Sequence, residues 1–231
     1  MGELTKAMVR APGVVDPEGV IEEGRRVLVA EAGAIRGVAD RLDRQFVAAA
    51  NLLLGVRGRV IVTGIGKSGI VARKLAATLT STGTPASFLH PMDGLHGDVG
   101  IVSREDGGIF ISKSGGTSEL SGLMEYMVRL GVQTVALTGR VDSPLAEHAT
   151  VVLDCGVSAE ACPMDLAPTS STTVAVAMGD ALAMVLLQAK GFHPEDFARF
   201  HPGGALGRRL TLHVADVMVG ENYPEITDEA T

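Results

Sequence analysis

Five short apolar runs alternate with longer helical patterns between residues 59 and 200, and this alternation constrains the fold more than any other feature of the sequence. The runs cover residues 59–63, 86–89, 108–112, 134–138 and 150–153. Strands that alternate with helices form right-handed crossovers, which build a parallel sheet covered by helices on both faces. The sequence therefore predicts an α/β fold, a three-layer sandwich with a five-stranded parallel sheet.

Helical periodicity predicts the elements between these strands. The predicted helices cover residues 67–82, 117–130, 169–190 and 194–200. Asp16 and Pro17 form a helix start signal, and the helical pattern from there to residue 54 fits two helices or one long bent helix. We expect a loose N-terminus over 1–15, one main domain over 16–212 and a C-terminal linker over 213–231.

Charge and cysteine content exclude several classes of protein. The net charge of −7 argues against nucleic acid as a partner, because phosphate backbones bind clustered Lys and Arg. The two cysteines, Cys155 and Cys162, make no disulfide framework, which is typical of a reducing compartment. We therefore expect a cytoplasmic protein.

The apolar run over residues 172–189 is nearly long enough to span a bilayer. It carries Asp180 at its centre, and a charge there costs about 2.5–3.5 kcal/mol on insertion scales. We expect a buried core helix and no membrane partner. The hydroxyl groups of residues 169–173 are candidates to hydrogen-bond the Asp180 carboxylate.

The first glycine-rich loop, residues 64–69, follows a strand and opens a helix, and a helix N-terminus is a physical site for an anion. The loop also matches the dinucleotide pattern G-x-G-x-x-G, which expects an acidic residue about 20 positions later at the end of the second strand. That strand ends at His90, which is not acidic, so the dinucleotide pattern is incomplete. A P-loop needs a glycine where Ile61 stands, so the loop is not a P-loop. A nicotinamide site and a plain turn with a solvated Lys67 remain as alternatives.

The second loop, residues 112–119, carries four hydroxyl residues around two glycines. Backbone N–H groups and hydroxyls can donate to phosphate oxygens, so the loop predicts a phosphate cup. The alternative is an ordinary N-cap by Thr117 or Ser118. Ligands of doubly wound sheets bind where the strand order reverses, so both loops meet there if the first and third strands are neighbours.

Two loop patterns and three longer stretches resemble a known family. The loop patterns are Gly64-x-Gly66-x-Ser68 and Ser112-x-Ser114-Gly115-x-Thr117. Together they resemble the sugar isomerase (SIS) domain. The longer stretches, residues 90–98, 160–173 and 196–207, narrow the resemblance to the arabinose-5-phosphate isomerases. The resemblance runs from about residue 18 to residue 220.

The resemblance implies a flavodoxin-like strand order, a homotetramer, and an aldose–ketose isomerase acting on a small sugar phosphate. The implied reaction interconverts D-ribulose 5-phosphate and D-arabinose 5-phosphate, which feeds synthesis of the lipopolysaccharide sugar Kdo. The resemblance implies that no cofactor is required. Such isomerases commonly continue into a pair of CBS domains, and the residues from 214 to 218 resemble the link into them, so we expect this chain to lack that pair.

The resemblance also implies the residues of the site. The implied catalytic residues are Lys67, Glu119, Glu160 and His201. The implied substrate contacts are Gly83, Thr84, His90 and His96, to which the two loops add Gly66, Ser68, Ser112, Ser114, Gly115 and Thr117. The position of His90 can also take a zinc ion, which the reaction does not require.

The sequence departs from the family at three positions, two of which lie in the second loop. Lys113 stands where the family usually has Asn, Gly116 where it has Glu, and Asp93 where it has Glu. Lys113 adds a positive charge beside the predicted phosphate cup, and Gly116 removes a negative one. These differences leave open which sugar phosphate is preferred.

Aldose–ketose exchange passes through an enediolate and needs an acid, a base and a group that holds the developing oxyanion. Because burial can raise the pKa of a Glu toward that of His, we assign Glu160 and His201 as the acid/base pair, with Glu160 favoured as the carbon base. Lys67 and Glu119 are assigned as electrostatic and ring-opening partners. Structural roles remain open: a surface salt bridge between Lys67 and Glu119, a cap by Glu160, and a turn at His201.

Two further functions compete with this prediction. The same fold can serve as a non-catalytic sugar-phosphate sensor, and an isomerase of another sugar phosphate would need the same residues. Retention of all four ionisable residues favours an enzyme.

Overall fold

The computed structural model of the chain describes residues 9–11, 14–201 and 218. The chain divides into two compact units, and the boundary along the chain falls between Lys190 and Gly191. The predicted domain boundary at residue 212 and nearly all of the predicted linker lie outside the described residues.

The described strands and helices follow the predicted alternation. The strands are β1 (Val9–Ala11), β2 (Val14–Val15), β3 (Val60–Gly64), β4 (Ala86–Phe88), β5 (Gly107–Ser112), β6 (Gln133–Thr138) and β7 (Val151–Asp154). The α-helices are α1 (Pro17–Ala39), α2 (Arg44–Leu54), α3 (Lys67–Ser81), α4 (Pro91–Leu95), α5 (Ser118–Arg129), α6 (Pro144–His148), α7 (Ser170–Ala189) and α8 (Pro194–Phe200). The five-residue helices α4 and α6 are too short for periodicity to predict, and β1 pairs with β2 inside the segment expected to be loose.

The N-terminal helical pattern forms two helices, α1 and α2. The chain leaves α1 after Ala39, and the Asp43 carboxylate then accepts a hydrogen bond from the Gln45 N–H at 2.8 Å. Such a cap satisfies one of the free N–H groups of a helix start and fixes the beginning of α2.

The main sheet has five parallel strands in the order β4-β3-β5-β6-β7. The predicted α/β class and the flavodoxin-like order are confirmed. The chain goes from β3 outward to β4 and then returns to the other side of β3 as β5, so the strand order reverses between β3 and β5. The first and second loops therefore start from neighbouring strands at the same edge of the sheet.

Two hydrophobic clusters cover the two faces of the sheet. Side chains alternate between the faces along each strand, as in β3, where Val60 and Val62 join one cluster and Ile61 the other. The first cluster lies under α1, α2, α3 and α7, and the second under α5 and α6. These two layers of helices hold the carboxyl ends of the strands in fixed positions.

Helix α7 is long and apolar enough to cross a membrane by length and composition. Half of its apolar window is buried inside the chain, and it packs against α3 and α1. The prediction of a core helix is confirmed. The expected hydroxyl partners of Asp180 are wrong, because its carboxylate pairs with Lys74 on α3, and both side chains are partly exposed.

The second unit contains α8 and His201. His193 and Asp196 form a capping box at the start of α8, and Phe192 stacks on Phe200 with 5.7 Å between ring centroids. The imidazole of His201 stacks on Phe197 at 3.9 Å, and its Nδ1 lies 2.9 Å from the Phe197 carbonyl oxygen.

Candidate active site

A cavity of about 350 Å³ lies at the carboxyl ends of β3 and β5, where the strand order reverses. Residues from both predicted loops line it together with the start of α7. The polar lining residues are Lys67, Ser68, Ser112, Lys113, Ser114, Thr117, Ser171 and Thr172. This volume is at the lower end of the range for small-molecule sites, and it fits a compact polar ligand.

The first loop lies close to the helix that it opens. A Cβ at Gly64 would lie 2.8 Å from the Ser68 backbone, and a Cβ at Gly69 would lie 2.8 Å from the Gly64 carbonyl oxygen. Only glycines permit this approach, which brings the N-terminus of α3 against the end of β3. Lys67 and Ser68 line the cavity as a result, while Gly66 lies beside them in the loop.

The second loop is held by its own hydroxyl groups. Ser112 Oγ accepts from the Gly115 N–H at 3.0 Å, and Ser114 Oγ accepts from the Gly116 N–H at 3.3 Å. Gly115 has a φ of +62°, and a Cβ there would lie 1.9 Å from Ser143 Oγ. A side chain at Gly115 is therefore excluded by both conformation and space.

Three helix N-termini contribute residues to the cavity: those of α3, α5 and α7. The N-cap residues of α3 and α5, Gly66 and Thr117, make no side-chain cap. The alternative of an N-cap by Thr117 is therefore not found, and the side chains of these two N-cap residues leave the first N–H groups of α3 and α5 unoccupied. The N-terminus of α7 differs, because a carboxylate already binds there.

That carboxylate belongs to Glu160, whose side chain is fully buried. Oε2 accepts from the Thr169 N–H at 2.8 Å, the Ser171 N–H at 3.1 Å and the Thr169 hydroxyl at 3.2 Å. Oε1 accepts from the Ser171 hydroxyl and from Lys113 Nζ, the latter at 2.6 Å. Glu160 therefore caps α7, and the alternative of a capping role is confirmed.

The pKa of Glu160 moves opposite to the expectation from the sequence. Burial raises it, but the hydrogen bonds from Lys113, from the Ser171 hydroxyl and from the Thr169 and Ser171 N–H groups outweigh burial and lower the pKa to about 2. The prediction that burial would raise this pKa toward neutrality is wrong in this structure. Glu160 is a fixed anion behind the cavity wall, and its role as a base remains a prediction.

Lys67 and Glu119 do not form the alternative salt bridge among the described residues. Lys67 is exposed in the first turn of α3 and lines the cavity. Glu119 lies in the first turn of α5 between two lining residues, Thr117 and Leu120. Its own backbone N–H and then the Ser118 hydroxyl lower the pKa of Glu119. Both charged groups therefore remain candidates for contact with a ligand.

His90 and His96 flank the short helix α4, outside the set of described residues that line the cavity. The His90 ring packs edge-on against Phe88 at 6.4 Å, and His96 is exposed. The described residues contain no group of three or more His, Cys, Asp or Glu side chains that could hold a metal ion. A zinc ion at His90 remains a prediction, and no chemical step is assigned to it.

Gly83 and Thr84 lie just before β4, at the amino end of the sheet. The cavity lies at the opposite edge, so the fold does not bring these two residues to the cavity of the same chain. Thr84 is buried, and its hydroxyl accepts from Lys190 Nζ at 2.8 Å. Their contact with substrate remains a prediction, and so does that of His201, which belongs to the second unit.

Sequence reasoning missed two partners in this site. The hydroxyl of Ser171 bonds Glu160 and lines the cavity, and Lys113 pairs with the same carboxylate. The hydroxyl-rich run 169–173 was a signal for the first, but it was assigned to Asp180. No sequence signal joins Lys113 to Glu160 across 47 positions.

Comparisons with known proteins agree with this architecture. The SIS domain family model matches residues 53–185. Arabinose 5-phosphate isomerase KdsD of Pseudomonas aeruginosa is 51% identical over 207 residues, which are 89% of this chain and 64% of the relative. Arabinose 5-phosphate isomerase GutQ of Escherichia coli K12 is 49% identical over 201 residues, 87% of this chain and 63% of the relative. This chain thus spans less than two thirds of the length of these two relatives.

A solved structure, c3406 of E. coli CFT073 in complex with arabinose 5-phosphate, has a TM-score of 0.79 and 36% identity. The alignment covers 81% of this chain and 100% of that one. The family model spans β3 to β7 and both loops of the cavity. The resemblance of the two loops is therefore matched by sequence and by fold, and this chain belongs to the SIS domain family.

Proposed function

We propose that this chain is an aldose–ketose isomerase that interconverts D-ribulose 5-phosphate and D-arabinose 5-phosphate through an enediolate. One observation carries the proposal: the cavity joins two helix N-termini without a side-chain cap from their N-cap residues, two lysines and several hydroxyl groups at the switch point of the sheet. The names of the relatives at about 50% identity support the same reaction.

The phosphate group fits best at the second loop. The N-terminus of α5 offers N–H groups that Thr117 does not cap and the positive end of a helix dipole, and Ser114 and Thr117 add hydroxyl donors beside it. Phosphate binding there needs no proton transfer. We expect the sugar carbons to lie toward the first loop.

The first loop then serves the reacting end of the sugar. The Lys67 ammonium and the N-terminus of α3 can stabilise the negative oxygen of an enediolate. We keep His201, Glu119 and Glu160 as candidates for proton transfer and ring opening. For Glu160, a pKa of about 2 is a poor match to a base that works near neutral pH.

We also propose a cytoplasmic homotetramer whose product enters Kdo synthesis for lipopolysaccharide. Leu28 and Val29 on α1 are 71% and 64% exposed, and an apolar surface of this kind favours contact with another copy. Gly83 and Thr84 lie at the far edge of the sheet, so they can reach a sugar only in the cavity of a second copy. Sedimentation velocity would measure the oligomeric state, and a monomer would contradict this part of the proposal.

The direct test is to incubate the protein with ribulose 5-phosphate in heavy water and follow arabinose 5-phosphate by NMR. We expect turnover and deuterium at C2 of the product. Lys67→Met should abolish turnover, whereas the matched control Lys74→Met, on the same helix but outside the cavity, should retain it.

Tight, saturable sugar-phosphate binding without turnover would contradict the isomerase and identify a sensor. Turnover of a different sugar phosphate would retain the reaction and change the substrate. This alternative follows from Lys113 and Gly116, which change the charge of the second loop.

A further inference from the structure

The side chain of Lys113 connects the cavity with the buried carboxylate of Glu160. Lys113 follows β5 directly and lines the cavity, and its side chain is 52% exposed. Its Nζ donates to Glu160 Oε1 at 2.6 Å. Among the described residues this is the one hydrogen bond of the ammonium group, which carries three N–H donors. Two donors therefore remain for solvent or a ligand.

Glu160 has no comparable freedom. Both of its carboxylate oxygens accept hydrogen bonds from described residues, and besides the bond from Lys113 these come from Thr169 and Ser171 at the N-terminus of α7. A proton acceptor must offer a lone pair to substrate, and the side chain of Glu160 is fully buried behind lining residues. The geometry thus suits a carboxylate that orients another group.

The loop that carries Glu160 is itself fixed by charged groups. The Glu160 N–H donates to Asp165 Oδ1 at 2.7 Å, and Arg26 donates to the neighbouring Ala161 carbonyl oxygen at 2.6 Å. Arg26 is held in turn by a bidentate pair with Glu23. Lys113 is the one cation bonded to the Glu160 carboxylate among the described residues.

We propose that Lys113 is a substrate-contacting cation of this cavity, and that Glu160 acts through it as the positioning residue that fixes its ammonium group. This inference rests on the proposed function, since it names a further donor for the same sugar phosphate. A buried carboxylate that orients a group at the cavity surface leaves that group in one position, and the two remaining N–H groups can donate to a negative oxygen of the ligand. The neutral pair also brings a donor to the ligand without adding net charge to the buried site.

A double-mutant cycle separates this arrangement from one in which Glu160 takes the proton. The variants are Lys113→Met, Glu160→Gln and the double variant, assayed by kcat/KM with ribulose 5-phosphate and by exchange of the substrate C–H proton with solvent. We expect each single variant to lose about 10²-fold in kcat/KM, in the range for loss of one oriented donor. Glu160→Gln should then cost little more in the Lys113→Met background, about threefold or less.

Two results would overturn the inference. The first is full activity in Lys113→Met. The second is a Glu160→Gln variant that abolishes turnover and solvent exchange to the same extent in both backgrounds, because Glu160 would then act on the carbon itself. Lys113→Arg keeps the charge and should retain most of the activity that Lys113→Met loses.

Folding and function are tested separately. Thermal unfolding identifies any variant that loses the fold. If Lys113→Met loses it, Lys113→Gln, which keeps a polar side chain without the charge, takes its place in the cycle. If the native protein shows no turnover, the proposed isomerase fails first. The same variants are then compared by their dissociation constants for arabinose 5-phosphate. If Glu160→Gln weakens binding much less in the Lys113→Met background than in the native protein, the pair is supported, and equal weakening in both backgrounds refutes it.

Discussion

The ionised state of Glu160 should stabilise the fold, and Glu160→Gln tests this. The carboxylate is fully buried, caps α7 and pairs with Lys113. The amide is neutral and replaces one acceptor oxygen with an NH2 donor, so it stands in for the protonated carboxyl. We therefore expect the variant to be less stable than the native protein at neutral pH.

The pKa of Glu160 determines the magnitude. It is about 2 in the folded chain, against an ordinary value of 4.5. Each pH unit of this difference corresponds to about 1.4 kcal/mol, so the ionised group stabilises the fold by about 3 kcal/mol at pH 7. For a chain of this size the loss corresponds to roughly 6–12 °C in Tm.

The sign of the pH dependence follows from the lowered pKa. The stabilisation is fully present above the unfolded pKa of about 4.5 and is lost as the pH falls toward about 2. The gap in the free energy of unfolding between the native protein and Glu160→Gln should narrow by about 1 kcal/mol between pH 7 and pH 4, and further below that.

Urea unfolding at fixed protein concentration, measured from pH 7 to pH 3.5, checks both the size and the slope. Glu119→Gln is the matched control, because its carboxylate also lies at a helix N-terminus but is partly exposed, and its loss of stability should be much smaller. Equal free energies of unfolding for the native protein and Glu160→Gln at pH 7, with parallel pH profiles, would refute the reasoning.

Three further predictions follow from the packing. Gly115→Ala should destabilise the chain by about 2 kcal/mol or more and prevent arabinose 5-phosphate binding, because of its positive φ and the lack of space for a Cβ. Gly116→Ala, with no atom near its Cβ, should stay within about 0.5 kcal/mol in the same urea and binding assays. Leu75→Ala should cost about 2–5 kcal/mol by urea unfolding, since Leu75 is buried in the first cluster. A thiol reagent at neutral pH should label Cys162 before Cys155. Backbone N–H groups of the following turn lower the pKa of Cys162, whereas burial raises the pKa of Cys155 to about 12. Labelling of Cys155 first would contradict this prediction.

Local patterns in the sequence were sufficient for the strands and for the two loops. A run such as residues 59–63 is apolar and β-branched because β3 is buried on both faces, and this is visible without knowing its neighbours. Gly64 and Gly69 are likewise local, because a helix that starts directly after a strand needs glycine at the close approach. Loop and strand patterns therefore predicted the class of fold and an anion site.

The placement of the remaining residues depended on contacts between distant parts of the chain. From the sequence, the two loops were expected to meet only if β3 and β5 are neighbours. The strand order in the structure shows that they are. The same order placed Gly83 and Thr84 at the opposite edge from the cavity. The packing of α3 against α7 brought Lys74 to Asp180, where the sequence had offered only nearby hydroxyls.

The first glycine loop, the hydroxyl-rich second loop and the alternation of strands were determined by the sequence itself, because each depends on the conformational and hydrogen-bonding properties of residues adjacent in the chain. The charge state of Glu160 was decided only by the tertiary structure. Burial alone would raise its pKa, and the opposite shift arises because α7 and Lys113, from separate parts of the chain, both donate to one carboxylate. Such a balance between desolvation and hydrogen bonding depends on distances across the fold, which residue order does not contain.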